Sequence, residues 1–215
     1  MKVKNKIKFR HSIKTWKKIA EPVAIWDFLN IKLSEAQKNS IHFAPKIEMV
    51  KFQNPHSKKP YEGWRTNGGN WATVFALLPD NTIPVTIEFK HGIEEILISL
   101  PAGVVQEGED TKKALRRELL EETGVVARRI VALGDPKLGI APSSRKATTR
   151  YFGFLALDAK LHSPQQPDDD EIIQVVFVKI PTWLAMIERG LIRDASAITT
   201  TYLALRKLKK LSLLK

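Results

Sequence analysis

One stretch of twenty-three residues, 103–125, constrains the fold of this chain more than any other, and it reads GVVQEGEDTKKALRRELLEETGV. Strong helix formers fill residues 112–122, and Asp110 or Thr111 offers a side-chain oxygen that can cap the first turn. Gly124 follows as a helix stop. The residues expected to form a buried stripe are Ala114, Leu115 and Leu119. The stretch therefore predicts a loop, one amphipathic helix and a second loop.

Four glutamates of this stretch are placed to gather around one divalent cation. Glu118 and Glu122 are four residues apart and Glu121 is three from Glu118, so their carboxylates share one face of the helix. Their repulsion is relieved by a hard cation such as Mg²⁺, which takes oxygen ligands and bridges them to phosphates. Glu109 can turn back to the same cluster, and Arg117, four residues before Glu121, can hold that carboxylate in place.

A solvated surface helix is the alternative interpretation, because Lys113, Arg116 and Arg117 can pair with the same glutamates. Ion pairing does not require glycines at both ends of the stretch. The full spacing runs from Gly103 over five residues to Glu109 and over seven more to the run RELLEETGV. This is a complete match to the Nudix box, so the chain resembles the Nudix hydrolases.

Length and composition limit the classes of protein to which this chain can belong. The chain has 215 residues, 43% of them hydrophobic, which is enough for one large domain or a core domain with a small appendage. It has no cysteine, which excludes thiol catalysis, disulfides and cysteine-bound metals. No apolar run reaches the length of a membrane span, and the N-terminus lacks a signal-peptide core, so a cytoplasmic protein without membrane contact is expected. The net charge of +12 favours anionic partners without choosing among phosphorylated substrates, nucleic acid and membrane surfaces.

Residues 1–65 are predicted to form a small β-rich appendage, with strands at 2–10, 24–33 and 47–52 and a loop over 55–63. Residues 1–20 contain eight Lys or Arg and no acid. A nucleic-acid arm and a transit peptide are both compatible with this charge. A strand with a solvated basic face is favoured, because transit peptides prefer Arg and Ser to Lys.

Residues 66–215 are predicted to form the main domain, an α/β/α sandwich with a mixed sheet. Segments 71–78 and 83–90 read as a hairpin around the turn 79–81. The other predicted strands are 96–100, 127–133, 149–157 and 172–179, and the other predicted helices are 181–189 and 195–213.

Several tracts outside the box resemble the ADP-ribose pyrophosphatase branch of the Nudix family. These are LPAG at 100–103, IEFKHG at 87–92, Pro142, the acidic tract that starts at Asp168, and GLIRDA at 190–195. The resemblance implies hydrolysis of a nucleoside diphosphate linked to another group, first of all ADP-ribose to AMP and ribose 5-phosphate. It implies Mg²⁺, with Mn²⁺ as the alternative. The chain departs from the branch at Lys90, where relatives carry Arg, and at Ser99, where they carry Glu.

The resemblance also implies roles for individual residues. The backbone carbonyl of Ala102 would bind the metal together with Glu118 and Glu122, and Glu109 and Glu121 would complete or support the cluster. The catalytic set is then Glu121, Glu122, Arg117 and Glu171. In that set Glu171, or its neighbour Asp169, matches the loop that supplies a general base, and a solvated acidic turn is the alternative for this loop.

Basic and aromatic side chains are candidates for holding the rest of the substrate. The candidate phosphate contacts are Lys90, Arg65, Arg145 and Arg150, with Lys90 first because of its position. The candidate walls for a base are Trp64, Trp71 and Phe89, although tryptophans at strand spacing are more often core residues. The N-terminal segment resembles the part through which relatives dimerise, so a homodimer is expected.

Other functions remain open at this point. Another nucleotide-sugar, a dinucleoside polyphosphate or an RNA 5′ end are alternative substrates, and a non-catalytic module that binds a ligand or nucleic acid is an alternative of another class. The intact set of glutamates argues against the module, since pure binding does not need four carboxylates.

Overall fold

The computed structural model describes residues 17–21, 23–28, 32, 34, 46–90, 92–166 and 172–210. The predicted strand at 2–10 and the acidic residues Asp168, Asp169 and Glu171 lie outside these ranges. The chain divides into two compact units, Met1–Gly68 and Gly69–Lys215. Among the described helices, none is long and apolar enough to cross a membrane.

The first unit is built on a β-hairpin. Strand β3 (Lys46–Gln53) pairs antiparallel with β4 (Pro60–Asn67), and the short strands β1 (Lys17–Lys18) and β2 (Val23–Ala24) also pair with β3. The predicted strand at 47–52 is confirmed within β3.

Two predictions for the first unit were wrong. A strand was expected over 24–33, but α1 (Ile25–Phe28) is helical, because apolar residues three apart suit a helical turn as well as a strand. A loop was expected over 55–63, yet β4 begins at Pro60. Proline is tolerated there, because the first residue of a strand need not donate to the ladder. The connecting turn is held by Asn54, whose side chain accepts from the backbone N–H groups of His56 and Ser57 at 2.9 and 3.1 Å.

The second unit contains two sheets. One has the order β8-β5-β10-β9, in which β5 and β10 are parallel and the other pairs are antiparallel. The other has the order β11-β6-β7 and is antiparallel throughout. The strands are β5 (Trp71–Ala76), β6 (Thr82–Lys90), β7 (Glu95–Ser99), β8 (Ala102–Val104), β9 (Val125–Leu133), β10 (Tyr151–Leu161) and β11 (Ile173–Lys179).

The predicted hairpin between β5 and β6 was wrong, because the two strands belong to different sheets. The turn between them bends sharply: Asn81 has a positive φ of 62°. Asp80 Oδ1 accepts from the N–H and the hydroxyl of Thr82 at 3.1 and 2.6 Å. This turn therefore connects β5 in one sheet to β6 in the other.

Three helices cover the sheets: α2 (Thr111–Thr123), α3 (Ile180–Glu188) and α4 (Ala195–Lys210). Strand β5 alternates between two cores, since Val74 packs in one with Leu119 of α2, while Phe75 packs in the other with Trp183 of α3 and Ala204 of α4. This arrangement of helices on both sides of mixed strands confirms the predicted α/β/α sandwich. Each predicted helix agrees with the structure to within one residue at its described ends, and residues 211–213 of the last helix lie outside the described range.

Candidate active site

Helix α2 begins and ends where the box predicts. Asp110 Oδ1 accepts from the backbone N–H groups of Lys112 and Lys113 at 3.0 and 3.1 Å, which caps the first turn. Gly124 is left-handed, with φ of 69°, and its N–H donates to the carbonyl of Leu120 at 2.8 Å. These caps fix the two ends of α2, so that Glu118, Glu121 and Glu122 lie on its last two turns.

The backbone of β8 lies directly against two of these glutamates. A Cβ atom added to Gly103 would lie 1.8 Å from Glu118 Cδ, so only glycine leaves room for this carboxylate. Glu122 is 3% exposed, and its Oε2 accepts from the N–H of Ala102 at 3.0 Å. The Ala102–Gly103 peptide thus forms one wall of a carboxylate cluster, and α2 forms the other.

Arg117 joins the remaining carboxylates. Its guanidinium lies 2.8 Å from Glu118, 3.0 Å from Glu121 and 3.5 Å from Glu109, and it also donates to the carbonyl of Val104 at 3.2 Å. Burial acts to lower the pKa of Arg117, but the three carboxylates outweigh it and the pKa is raised above its usual value. The pKa of Glu109 is lowered, first through the hydrogen bond from the backbone of Gln106. Both groups are therefore ionised at neutral pH.

The cluster fits a divalent cation in its donor chemistry. Carboxylate oxygens are the ligands that Mg²⁺ and Mn²⁺ prefer, and the space that a side chain at Gly103 would fill holds the carboxylate of Glu118. In the part of the chain that the structure describes, no three acidic or histidine side chains are placed to hold one ion together. The physical reason is visible, since the Arg117 guanidinium is the cation that Glu109, Glu118 and Glu121 share.

A cavity of about 560 Å³ adjoins this cluster within the second unit. Ala102 and Gly103 belong to its wall, which connects it directly to the backbone that Glu118 and Glu122 contact. Lys90, Ser99 and Pro142 also line it. The cavity wall and the carboxylate cluster therefore share the backbone of Ala102 and Gly103.

Residues 72–194, more than half of the chain, match the family model for the NUDIX domain. The chain belongs to the Nudix family. An ADP-ribose pyrophosphatase from Bacillus subtilis (strain 168) is 27% identical over 136 residues, which cover 62% of this chain and 71% of that protein. A methanol dehydrogenase activator from Bacillus methanolicus is 26% identical over 139 residues, which cover 64% of this chain and 73% of that protein.

The structural comparison extends beyond the matched domain. A crystal structure described as an ADP compounds hydrolase has a TM-score of 0.70, covers 94% of this chain and 98% of its own, and is 18% identical in sequence. At 18% sequence identity, this structural similarity is evidence for a shared fold alone. Taken together, the similarities confirm the predicted Nudix family and the resemblance to ADP-ribose pyrophosphatases. They support an enzyme of the Nudix pyrophosphohydrolase class.

The Nudix cavity brings together some of the predicted substrate contacts. Lys90 lines it and forms an ion pair with Glu88, also in the wall. Trp71 lines it too, half-buried, and its ring stacks on Tyr151 with centroids 5.6 Å apart and an angle of 18°. Tyr151 is a site residue that the sequence did not single out. Burial raises the pKa of its hydroxyl, so it stays protonated at neutral pH.

Other predicted contacts lie elsewhere among the described residues. Arg150 turns to its own backbone and donates to the carbonyls of Thr148 and Thr149 at 3.1 Å each. Arg65 and Trp64 belong to the first unit, where Arg65 pairs with Glu48 at 2.8 Å. Arg145 and Phe89 are exposed and are not among the residues of the cavity wall. Glu171 lies outside the described ranges.

Sequence reasoning missed the carboxylate of Asp194, which lines the same cavity. Its Oδ1 caps α4, accepting from the N–H groups of Ser196 and Ala197 at 2.7 and 3.1 Å. The order Asp-Ala-Ser before a predicted helix is an N-cap signal and would have placed Asp194 at the helix start. Nothing in the sequence pattern points to its contact with the cavity.

Proposed function

We propose that this Nudix protein hydrolyses the pyrophosphate bond of a nucleoside diphosphate linked to another group, with ADP-ribose as the first candidate and AMP and ribose 5-phosphate as products. The observation that carries the proposal is the contact of Glu118 and Glu122 with Ala102 and Gly103 at the wall of a cavity of about 560 Å³. The relative named as an ADP-ribose pyrophosphatase supports the choice of substrate.

A divalent cation, Mg²⁺ or Mn²⁺, supplies charge neutralisation of the diphosphate and a more acidic attacking water when bound. The residues that would hold it are the carbonyl of Ala102 and the carboxylates of Glu118 and Glu122, with Glu109 and Glu121 in support. Arg117 keeps Glu118 and Glu121 in place through contacts of 2.8 and 3.0 Å. Its charge also limits the repulsion within the cluster.

The remaining chemistry needs a base for the attacking water and a contact for the phosphates. A carboxylate must take the proton of the attacking water, and Glu121 or Glu171 is proposed for this role. Lys90 is proposed to attract a phosphate of the substrate, for which its ion pair with Glu88 must loosen. The chemistry needs mainly positioning and charge stabilisation, both of which a fixed glutamate helix can provide.

A substrate panel tests this proposal. The purified protein is incubated with ADP-ribose, a nucleotide-sugar, a dinucleoside polyphosphate and a 5′-capped RNA, with Mg²⁺ or with excess EDTA, and products are separated by chromatography. AMP should appear fastest from ADP-ribose and only with the metal. Faster turnover of another compound would reject the substrate assignment, and binding of nucleic acid without any hydrolysis would reject the enzyme.

A further inference from the structure

Besides Glu88, which is paired with Lys90, the wall of the cavity contains the carboxylate of Asp194. Asp194 stands before α4, and its two oxygens have different partners. Oδ1 accepts from the N–H and the hydroxyl of Ser196 at 2.7 and 2.6 Å and from the N–H of Ala197 at 3.1 Å. Oδ2 accepts from the hydroxyl of Ser99 at 2.9 Å, across 95 residues of sequence.

Capping of α4 explains the hydrogen bonds of Asp194 Oδ1, but it does not involve Oδ2. A carboxylate oxygen has two lone pairs, and within the described part of the chain Ser99 is the one donor to Oδ2. Asp194 and Ser99 both line the cavity, and Oδ2 keeps the capacity to accept another hydrogen bond. Burial acts to raise the pKa of Asp194, but the hydrogen bonds from Ser196, Ser99 and Ala197 outweigh it and the pKa is lowered. The group is an anionic acceptor at neutral pH.

The neighbours of Asp194 in the wall are hydroxyls and aromatic rings. Ser196 and Thr199 come from the first turns of α4, and the stacked pair of Trp71 and Tyr151 comes from β5 and β10. A polar acceptor beside an aromatic ring suits a ligand with hydroxyl groups around an apolar ring face. It does not suit a phosphate, because two anions repel each other in a partly buried site.

We infer that Asp194 is a specificity-determining residue whose Oδ2 accepts a hydrogen bond from a sugar hydroxyl of the substrate. This inference rests on the proposed function and narrows it to nucleoside diphosphate derivatives whose sugar hydroxyls are free. Two sugars have this chemistry, the ribose of the nucleoside and the sugar of the linked group. The experiment below separates them.

The variant Asp194→Asn is suited to the test. Asparagine is as good an N-cap as aspartate, so the contacts of Oδ1 are kept, while the oxygen toward Ser99 becomes an NH₂ donor. Asp135→Asn is the matched control, because Asp135 Oδ1 likewise accepts from two backbone N–H groups, those of Lys137 and Leu138 at 2.8 and 3.2 Å. Asp135 does not belong to the cavity wall.

The kcat and KM of the wild type and both variants are measured with ADP-ribose, with the methyl ester of ADP, and with ADP-ribose that lacks the 2′ and 3′ hydroxyls of its adenosine. Asp194→Asn should lower kcat/KM for ADP-ribose by about tenfold or more, mainly through KM, as expected for a lost hydrogen bond to a charged group. The loss should disappear with the methyl ester if the linked sugar is the donor, or with the deoxy compound if the nucleoside ribose is. Asp135→Asn should match the wild type.

An equal loss on all three compounds, or no loss on any, would overturn the inference and leave Asp194 as a helix cap. Calorimetric binding of ADP-ribose in the presence of EDTA gives the same comparison of variants without turnover. A wild type that binds but does not hydrolyse ADP-ribose would refute the proposed reaction, while weaker binding by Asp194→Asn alone would still support the sugar contact.

Discussion

Gly103 shows at the scale of one residue how the backbone makes room for a carboxylate. The nearest atoms to a Cβ at this position are Cδ, Oε1 and Cγ of Glu118, at 1.8, 2.2 and 2.3 Å. All three belong to a flexible side chain, which can move aside at little cost in stability. The glycine therefore matters for the position of Glu118 more than for folding.

We expect Gly103→Ala to lower kcat by about a hundredfold, because displacing a catalytic group by about 1 Å has an effect of this size. The melting temperature should change little. Gly92→Ala is the control, since a Cβ there meets none of the described residues within 4 Å. Near-normal turnover by Gly103→Ala, measured as AMP release from ADP-ribose, would show that Glu118 needs no such space.

Among individual residues, the sequence predicted the pairing of Arg117 with Glu121, because helical spacing determines which residues are neighbours. The contact with Glu121 is observed at 3.0 Å. The contacts of Arg117 with Glu109 and with the carbonyl of Val104 depend on how the preceding loop folds back, which spacing does not encode. Ser99 and Asp194 are 95 residues apart in sequence, so only the folded chain brings them together.

At the scale of elements, α2 is held at its C-terminus by a glycine that no other residue can replace without strain. Gly124 has φ of 69°, and a Cβ there would lie 1.9 Å from the backbone oxygen of Ser163. The N–H of His162 also donates to the carbonyl of Gly124 at 2.8 Å, so the helix end is joined to the segment after β10.

Gly124→Ala should lower the free energy of unfolding by about 2 kcal/mol or more, from left-handed strain and from the clash with a backbone atom. Gly134→Ala is the matched control, because Gly134 has φ of 86° but no atom of the described part of the chain lies within 4 Å of the added Cβ. Gly134→Ala should lower the free energy of unfolding by only about 1 kcal/mol. Urea unfolding of both variants measures the difference, and equal losses would mean that the contact with Ser163 relaxes freely.

Elements with local signals were predicted well and those that depend on tertiary pairing were not. The caps of α2 are set by Asp110 and Gly124 within the helix itself, and the sequence predicted both. The turn at 79–81 was read correctly as a turn, yet β5 and β6 join different sheets, since the choice of partner strand is made by distant residues. Strand β5 pairs with β10 in parallel, from Trp71 with Tyr151 onward, which no local pattern indicates.

At the scale of the whole molecule, the second unit encloses both the glutamate helix and the cavity beside it. We propose that residues 1–65 serve a different purpose, the formation of a two-fold homodimer. The support is the predicted resemblance of this segment to the dimerising part of relatives. Light scattering of the purified chain should give twice the mass of 24.3 kDa, and a monomer at micromolar concentration would contradict this.

Glu122→Gln tests whether hydrolysis by this Nudix protein needs the charge of the buried Glu122 carboxylate, which contacts Ala102 in the cavity wall. The substitution keeps nearly the same side-chain volume and an oxygen that can accept from Ala102 N–H, as Glu122 does at 3.0 Å, but it removes the charge. With ADP-ribose and Mg²⁺, the wild type should release AMP, and the variant should lose at least about a hundredfold of that rate with an unchanged circular dichroism spectrum. Wild-type turnover by the folded variant at the same Mg²⁺ concentration would show that hydrolysis does not need the charge of Glu122.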